Sequence, residues 1–293
     1  MKDKLLNYSL SELKDIITEA GEKPFRAGQI YKALNSGLEF SEMTELSKPL
    51  RELLQEKYIA QPVKIVKTYV SKDGTEKYLF GLFDGNLIEG VLMKYKYGYT
   101  LCVSTQVGCR MNCAFCASGL SGLIRNLEPS EILGEIIAVN RAQGGGLGEK
   151  RKVINVVLMG SGEPLDNYDN TVKFLRLLSD ADGLNISPRN VSLSTSGLVP
   201  QMYKFAEENI SVNLTVSLHS PFDEERQKIM PIAKRYKISE ILAACENYFD
   251  KTGRRYIFEY VLIKGENDTP RHAEGLIRLL KGKPCHVNLI RLN

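Results

Sequence analysis

The chain predicts an α/β fold, a partial (β/α)6 barrel preceded by a small helical domain and a β-rich extension. Three observations lead there. Apolar residues recur at helical spacing up to about Tyr58, and they alternate with polar ones from Val63 to Leu101. From Thr100 onward, strand-like apolar runs take turns with helical ones, the pattern of parallel strands joined by crossover helices.

The elements follow in order. Ser9-Leu10-Ser11-Glu12 offers a capping box, with Leu10, Leu13, Ile16 and Ile17 on one helical face. Pro24-Phe25-Arg26 opens a second helix, and Leu50, Leu53 and Leu54 mark a third. Three strands follow, around Val63-Ile65-Val66, Tyr78-Leu79-Phe80 and Leu87–Met93, with turns at Lys72-Asp73-Gly74 and Asp84-Gly85-Asn86. Barrel strands are expected at Thr100–Ser104, Val153–Met159, Val191–Ser194, Val212–Leu218, Tyr256–Ile263 and His286–Ile290. Helices are expected at Pro129–Ala142, Tyr168–Leu178, Pro200–Glu207, Ser239–Phe249 and Pro270–Leu280. The domains would then be 1–60 (helical, a candidate RNA-binding part), 61–99 (β-meander) and 100–293 (barrel). A functional site belongs at the C-terminal ends of the barrel strands. The last strand is followed by no covering helix, so the parent protein is expected to continue beyond Asn293 by about one βα unit.

Composition narrows the class. The 39 Lys plus Arg against 35 Asp plus Glu leave +4, a mild excess that tolerates RNA without demanding it. Six cysteines, three of them in one loop, do not form a secreted disulfide framework. There is no signal-peptide core, and no run approaches the roughly 18 apolar residues of a membrane span. The expectation is a reducing cytoplasm.

The chemistry-bearing motif is Cys109-Arg110-Met111-Asn112-Cys113-Ala114-Phe115-Cys116. Three thiolates on one loop can hold three corners of an iron–sulfur cube and leave the fourth iron open. The alternative is a zinc loop completed by Cys102 or a distant His, although zinc sites usually pair two C-x2-C knuckles and no second one exists here. Gly160-Ser161-Gly162-Glu163-Pro164 ends the second barrel strand. It is either an ordinary turn or a place where backbone and a carboxylate meet a ligand. Ser194-Thr195-Ser196-Gly197 and Ser217-Leu218-His219-Ser220 end the next two strands. Their hydroxyls and imidazole are either strand-end caps or ligand contacts. Gln143–Lys150 is glycine-rich but stands in the wrong order for a phosphate loop, so a flexible loop is expected. Basic groups at Lys150-Arg151-Lys152, Lys234-Arg235 with Lys237, and Arg254-Arg255 are solvated faces or an RNA track. Cys245 and Cys285 read as packing.

The cysteine spacing, with an aromatic before the last cysteine, resembles the radical S-adenosylmethionine (SAM) superfamily. Over nearly its whole length the chain resembles the RlmN group of RNA methyltransferases and its relative Cfr. The runs that carry this are Pro24–Tyr31, Phe40–Ser47 and Cys102–Cys109, together with the GSGEP turn, where Ser161 replaces a glycine of the family's GGEP. The resemblance implies a radical SAM barrel, a [4Fe-4S] cluster and SAM. It implies methylation of adenosine at C2 in 23S rRNA and tRNA. C8 methylation in the manner of Cfr, or a non-catalytic Fe–S RNA-binding remnant, are the alternatives.

The resemblance also implies roles. Cys109, Cys113 and Cys116 would ligate the cluster, and Gly162, Glu163, Ser194, Ser217, Leu218, His219 and Asn293 would contact SAM. Glu89 would be the general base, on an apolar strand whose burial could raise its pKa. Cys102 would release the product by forming a disulfide with a methyl-carrying cysteine. That cysteine belongs to an Ala-Cys-Gly segment which this sequence does not contain, so the polypeptide as given is expected to show no S-methylcysteine and no RNA methylation. The partners would be 23S rRNA, tRNA and a reducing electron donor such as flavodoxin or ferredoxin, with no membrane, for a monomeric cytoplasmic protein.

Overall fold

The computed structural model describes residues 2–146 and 149–291. In chain order it begins with β1 (Asp3–Lys4), α1 (Leu10–Glu19), α2 (Phe25–Asn35), α3 (Lys48–Lys57) and β2 (Tyr58–Ile59). Then come β3 (Val63–Val70), β4 (Glu76–Leu82), β5 (Leu87–Tyr95), β6 (Gly98–Cys102), β7 (Gln106–Gly108) and β8 (Leu123–Asn126). The alternating part runs α4 (Pro129–Ala142), β9 (Val153–Leu158), α5 (Tyr168–Ser179), β10 (Val191–Thr195), α6 (Val199–Ala206) and β11 (Asn213–Ser217). It closes with α7 (Asp223–Ile229), α8 (Ile238–Thr252), β12 (Tyr256–Leu262), α9 (Pro270–Leu280) and β13 (Cys285–Arg291). The expected barrel strands and helices are all present. Those expectations lacked the β7–β8 hairpin and α7, which are too short for periodicity to register. Of the expected flexible loop at 143–150, residues 147 and 148 lie outside the described residues, as does Asn293.

The chain divides into two compact units. The first comprises Met1–Ser104, Leu127–Gly160 and Asp169–Ser187. Its strands run in the order β9-β6-β5-β4-β3, with β6 parallel to β9 and the rest antiparallel. Strict alternation gives this sheet two characters. Tyr78, Phe80 and Leu82 of β4 and Ile88 and Leu92 of β5 are buried on the face that α4 covers, where Gly134 meets Val63. Lys77, Leu79, Glu89 and Val91 stand on the other face. At the N-terminus the expected capping box is present. The Ser9 Oγ accepts from the Glu12 N–H at 3.3 Å, the Glu12 carboxylate accepts from the Ser9 N–H at 2.7 Å, and Leu13 and Ile17 are buried. The partly buried Lys4 Nζ–Glu128 pair, 2.6 Å long, ties β1 to the start of α4.

The second unit comprises Thr105–Asn126, Ser161–Tyr168 and Pro188–Asn293. Its strands run β13-β12-β11-β10, all parallel, with α6 against α8. Val, Leu, Phe and Tyr fill the covered face of this sheet, as parallel strands require. Its opposite face mixes Ser194, Thr215, Ser217, Glu259 and Asn288 with Ile257 and Val261.

Candidate functional site

In the second unit the cysteine loop is the connection within the β7–β8 hairpin. Gly108 (φ +76°) permits the crossing, since a Cβ there would stand 2.0 Å from the Gly122 carbonyl oxygen. The Cys109 N–H donates to that same oxygen at 3.0 Å, and the Ala114 N–H donates to the Ile229 carbonyl at 2.9 Å. The loop is thus closed at its base and pinned at its middle. Cys109 is buried, Cys113 half-buried and Cys116 exposed, and all six cysteines are free thiols. The disulfide that the resemblance implies for Cys102 is therefore not a feature of the resting fold. Burial and the neighbouring thiols of Cys116 and Cys109 push the Cys113 thiol up to about 12, and burial first of all raises Cys109 too. The three thiols therefore share one space. Among the described residues no three His, Cys, Asp or Glu side chains converge on one point fit for a single ion. A cube needs no such convergence, because each thiolate takes a different iron, and the iron charge reverses the thiol pKa shift.

Phe115 carries the loop's position onward. Its ring meets His219 edge-on, 4.6 Å between centroids. His219 is buried in a left-handed conformation (φ +58°), and its Nδ1 accepts from the Val261 N–H at 3.0 Å. Burial and then the Arg226 charge lower its pKa to about 3, so it stands neutral behind the loop. The structure thus shows a buried histidine whose hydrogen bond goes to the protein's own backbone.

Glu163 turns inward from its strand-end turn. Its carboxylate accepts from the N–H groups of Ser196 (2.7 Å) and Leu165 (3.1 Å), while burial raises its pKa. The side chain holds the end of β10, and what the turn offers a ligand is backbone. Gly162 (φ +109°) makes the close approach possible, since a Cβ would meet Gln106 N at 2.7 Å. Along β10 and β11 the register places Ser194 beside Thr215, and Ser217 beside Glu259 of β12. These share one face with Asn288 of β13, whose amide donates to Glu259 at 2.8 Å. The Thr215 Oγ1 is buried there without a partner. A row of polar side chains with an orphaned hydroxyl is a cradle for a polar ligand, and it suits a nucleoside with a zwitterionic tail.

Sequence reasoning missed Arg226. It is fully buried on α7, and its guanidinium donates to the carbonyls of Ser196 (2.6 Å), Ser217 (2.9 Å) and Leu218 (3.1 Å). One side chain thereby fixes the ends of two strands. Nothing in Asp223-Glu224-Glu225-Arg226 announces this, because such a run reads as a solvated helix. Gln106 was missed too, although it bonds Asn126, Asp166 and the Glu163 N–H. Cys285 lies near enough to Cys245 to add to the rise that burial causes in the Cys245 thiol pKa.

In the first unit, Glu89 lies opposite Leu79, and Cys102 opposite Val91. Opposed residues of an antiparallel pair share a face, and Glu89 and Val91 are two apart on β5. Glu89 and Cys102 are therefore diagonal neighbours on the same face, about 7–8 Å apart by sheet geometry. The expected burial of Glu89 is not there. Alternation buries its neighbours Ile88 and Gly90 instead, and Glu89 stands in solvent with Lys77 Nζ at 2.7 Å. Burial and the nearby Glu135 carboxyl push the Cys102 thiol up to about 12. Glu135, on α4, is itself wholly buried and raised well above the usual carboxylate range, with one oxygen accepting from the Ser104 N–H at 3.2 Å. Of the basic groups, Arg151 is engaged with the carbonyls of Val153 and Asn185, and Arg254 with Asn213.

Comparison with known proteins decides the family. The radical SAM superfamily model matches residues 103–279, and the model of the ribosomal RNA large subunit methyltransferase N-terminal domain matches residues 4–59. A probable dual-specificity RNA methyltransferase RlmN of Lachnoclostridium phytofermentans is 54% identical over 97% of this chain and 79% of its own length. Counterparts from Alkaliphilus oremlandii (52%) and Clostridioides difficile (51%) each cover 99% of this chain and 83% of their own. The chain belongs to the RlmN family of radical SAM RNA methyltransferases. A crystal structure of a radical SAM methyltransferase from Sphaerobacter thermophilus, 43% identical, superposes with a TM-score of 0.94 over 99% of this chain and 85% of that one. The expected α/β radical SAM fold is thereby confirmed, with its N-terminal domain. RlmN-family enzymes use a [4Fe-4S] cluster and SAM, and the donor sets above fit both. Among the described residues no helix is long and apolar enough to cross a membrane.

Proposed function

We propose that the enzyme methylates C2 of adenosine in 23S rRNA and tRNA through a methyl-carrying cysteine that this sequence does not itself contain. Cys109, Cys113 and Cys116 hold the cluster. The 160–164 turn, Ser194, Ser217, Leu218, His219 and Asn293 hold SAM. When bound, the cluster supplies one electron and SAM a methyl group and a carbon radical, which an electrophilic ring carbon needs because polar methyl transfer cannot reach it. His219, neutral and wedged on Phe115, keeps the cysteine loop in place. Glu163 and Arg226 keep the strand-end backbone rigid, so that the ligand meets a fixed surface.

The observation that carries the reading is the pairing of Glu89 with Cys102 on one face. A ring carbon that gains a methyl must lose its proton, and Glu89, exposed with Lys77 Nζ at 2.7 Å, is the carboxylate placed to accept it. Cys102, a protonated thiol at rest, would release the base from the methyl-carrying cysteine by forming a disulfide with that second thiol, which this sequence does not supply. At Glu89 the face is exposed, so a bulky substrate can reach the carboxylate, while the buried Cys102 thiol is shielded until it is needed. The enzyme is proposed to act as a cytoplasmic monomer, with flavodoxin or ferredoxin as electron source.

The test compares 23S rRNA and tRNA from cells with and without the gene, digested and resolved into methyladenosine isomers. Loss of 2-methyladenosine is expected. Loss of 8-methyladenosine instead, or of neither, would overturn the assignment.

A further inference from the structure

The face that carries Glu89 and Cys102 does not stop at β5. Opposite Val91 stands Lys77, and opposite Lys77 stands Tyr69, while Leu79 next to them faces Lys67. This continuation depends on a β-bulge. From Val63 and Ile65, which face α4, unbroken alternation would send Lys67 and Tyr69 to the covered side. The register shift between Ile65 and Lys67 leaves Val66 unpaired and turns both residues onto the open face. Lys67 Nζ lies 4.7 Å from the centre of the Tyr69 ring, which confirms that they share it. Lys64, opposite Gly81, belongs to this face as well.

We propose that this bulged strip is the track that holds single-stranded RNA beside the reaction face, with Tyr69 stacking on a base and Lys64 and Lys67 meeting phosphates. The inference rests on the roles read above for Glu89 and Cys102. Tyr69 is 47% exposed and Val66 59%, beside Lys64, Lys67 and Lys77, with Glu89 paired to Lys77 and Glu39 near Lys64. An exposed aromatic ring beside cations is the kind of surface that binds single strands without demanding sequence. Lysines on an edge strand also discourage strand pairing between molecules, but that task requires neither an aromatic ring nor a bulge that re-aims it. Continuity with Cys102 along one row of opposed residues supplies the direction, since an RNA lying on the strip runs towards the thiol.

The test measures binding of a fluorescein-labelled RNA hairpin with an adenosine-containing loop to the cluster-loaded protein, by anisotropy. The double variant K67E/Y69A should bind about tenfold more weakly or worse, and K67A should lower the salt slope by about one. The same strand supplies the control. Val70 is opposite Glu76 on the other face and is 70% exposed, so V70E should leave affinity within twofold. SAM cleavage without RNA should be unchanged in all three, which certifies the fold. Unaltered affinity in K67E/Y69A, or an equal loss in V70E, would overturn the track while leaving the methyltransferase reading intact. Absence of RNA binding by the parent protein would overturn both.

Discussion

At the ends of β10 and β11 the functional side chains are buried and bonded to the protein itself. On the uncovered face of β3 to β5 they end in water. Glu163, His219 and Arg226 each spend their hydrogen bonds on neighbouring backbone, so a small cofactor would meet main chain and a few hydroxyls held without play. Glu89, Lys67 and Tyr69 hold little in place, and their neighbours across the sheet decide only which way they point. The difference matches the two ligands. A nucleotide cofactor is gripped by a rigid polar cavity, whereas an RNA needs an accessible surface whose charge can exchange counterions. Rigidity and exposure are divided between the units because one surface cannot offer both.

The largest effect that would break this contrast lies in the cysteine loop. Cys113→Ala should abolish the cluster, with iron and sulfide per chain falling at least tenfold and SAM cleavage falling with them, because two thiolates cannot anchor a cube. Glu89→Gln, on the open face, should keep full iron content. Next comes Arg226→Met. It removes three charge-assisted bonds and leaves the carbonyls of Ser196, Ser217 and Leu218 buried without that donor, at a cost of about 3–5 kcal/mol in denaturant unfolding. A loss below about 1 kcal/mol would show that the strand ends are not held as tightly as their geometry implies.

His219 adds a pH signature. Its folded pKa, about 3, lies below the unfolded value of 6.5, so between these the unfolded chain binds a proton that the fold refuses. Its contribution to stability is complete above pH 6.5 and is lost as pH falls towards 3, at no more than about 1.4 kcal/mol per unit. His219→Asn, which tolerates the left-handed backbone, should flatten that slope relative to the parent.

Much of this was legible in the sequence, and the exceptions share a cause. The barrel strands show themselves as apolar runs, and the cluster loop announces itself because three cysteines at that spacing have few other uses. Arg226 was invisible, since a helix of seven residues with five charges looks solvated whichever charge turns inward. The burial expected for Glu89 failed for a related reason. Leu87–Met93 is apolar on average, but a strand with one covered face assigns burial by parity, and parity is fixed only by pairing with Phe80 and Tyr78. The bulge at Val66 is harder still, because it inverts parity within one strand and no local residue marks it.

Glu135 tests the boundary between the two characters, since it is buried under the open sheet. Its folded pKa is raised well above the ordinary carboxylate value, so the fold keeps a proton that the unfolded chain gives up above about pH 4.5. Stability from this group therefore falls as pH rises towards the folded pKa. Glu135→Gln keeps an acceptor for the Ser104 N–H and cannot ionise. It should cost under about 1 kcal/mol near pH 5 and become stabilising relative to the parent as pH rises.

The smallest effect belongs to Lys77→Met. The Lys77–Glu89 pair is 2.7 Å long, but its side chains are 47% and 54% exposed, so solvent and salt screen it. Unfolding free energy should change by no more than about 0.5 kcal/mol. The consequence should appear in chemistry instead. Without the ammonium, Glu89 loses the partner that fixes its position on this face, so RNA-dependent turnover should fall severalfold while iron content and SAM affinity stay as they were. A stability loss comparable to that of Arg226→Met would mean that this face is a structural surface, and that its carboxylate is held for the fold's sake rather than left free for a base.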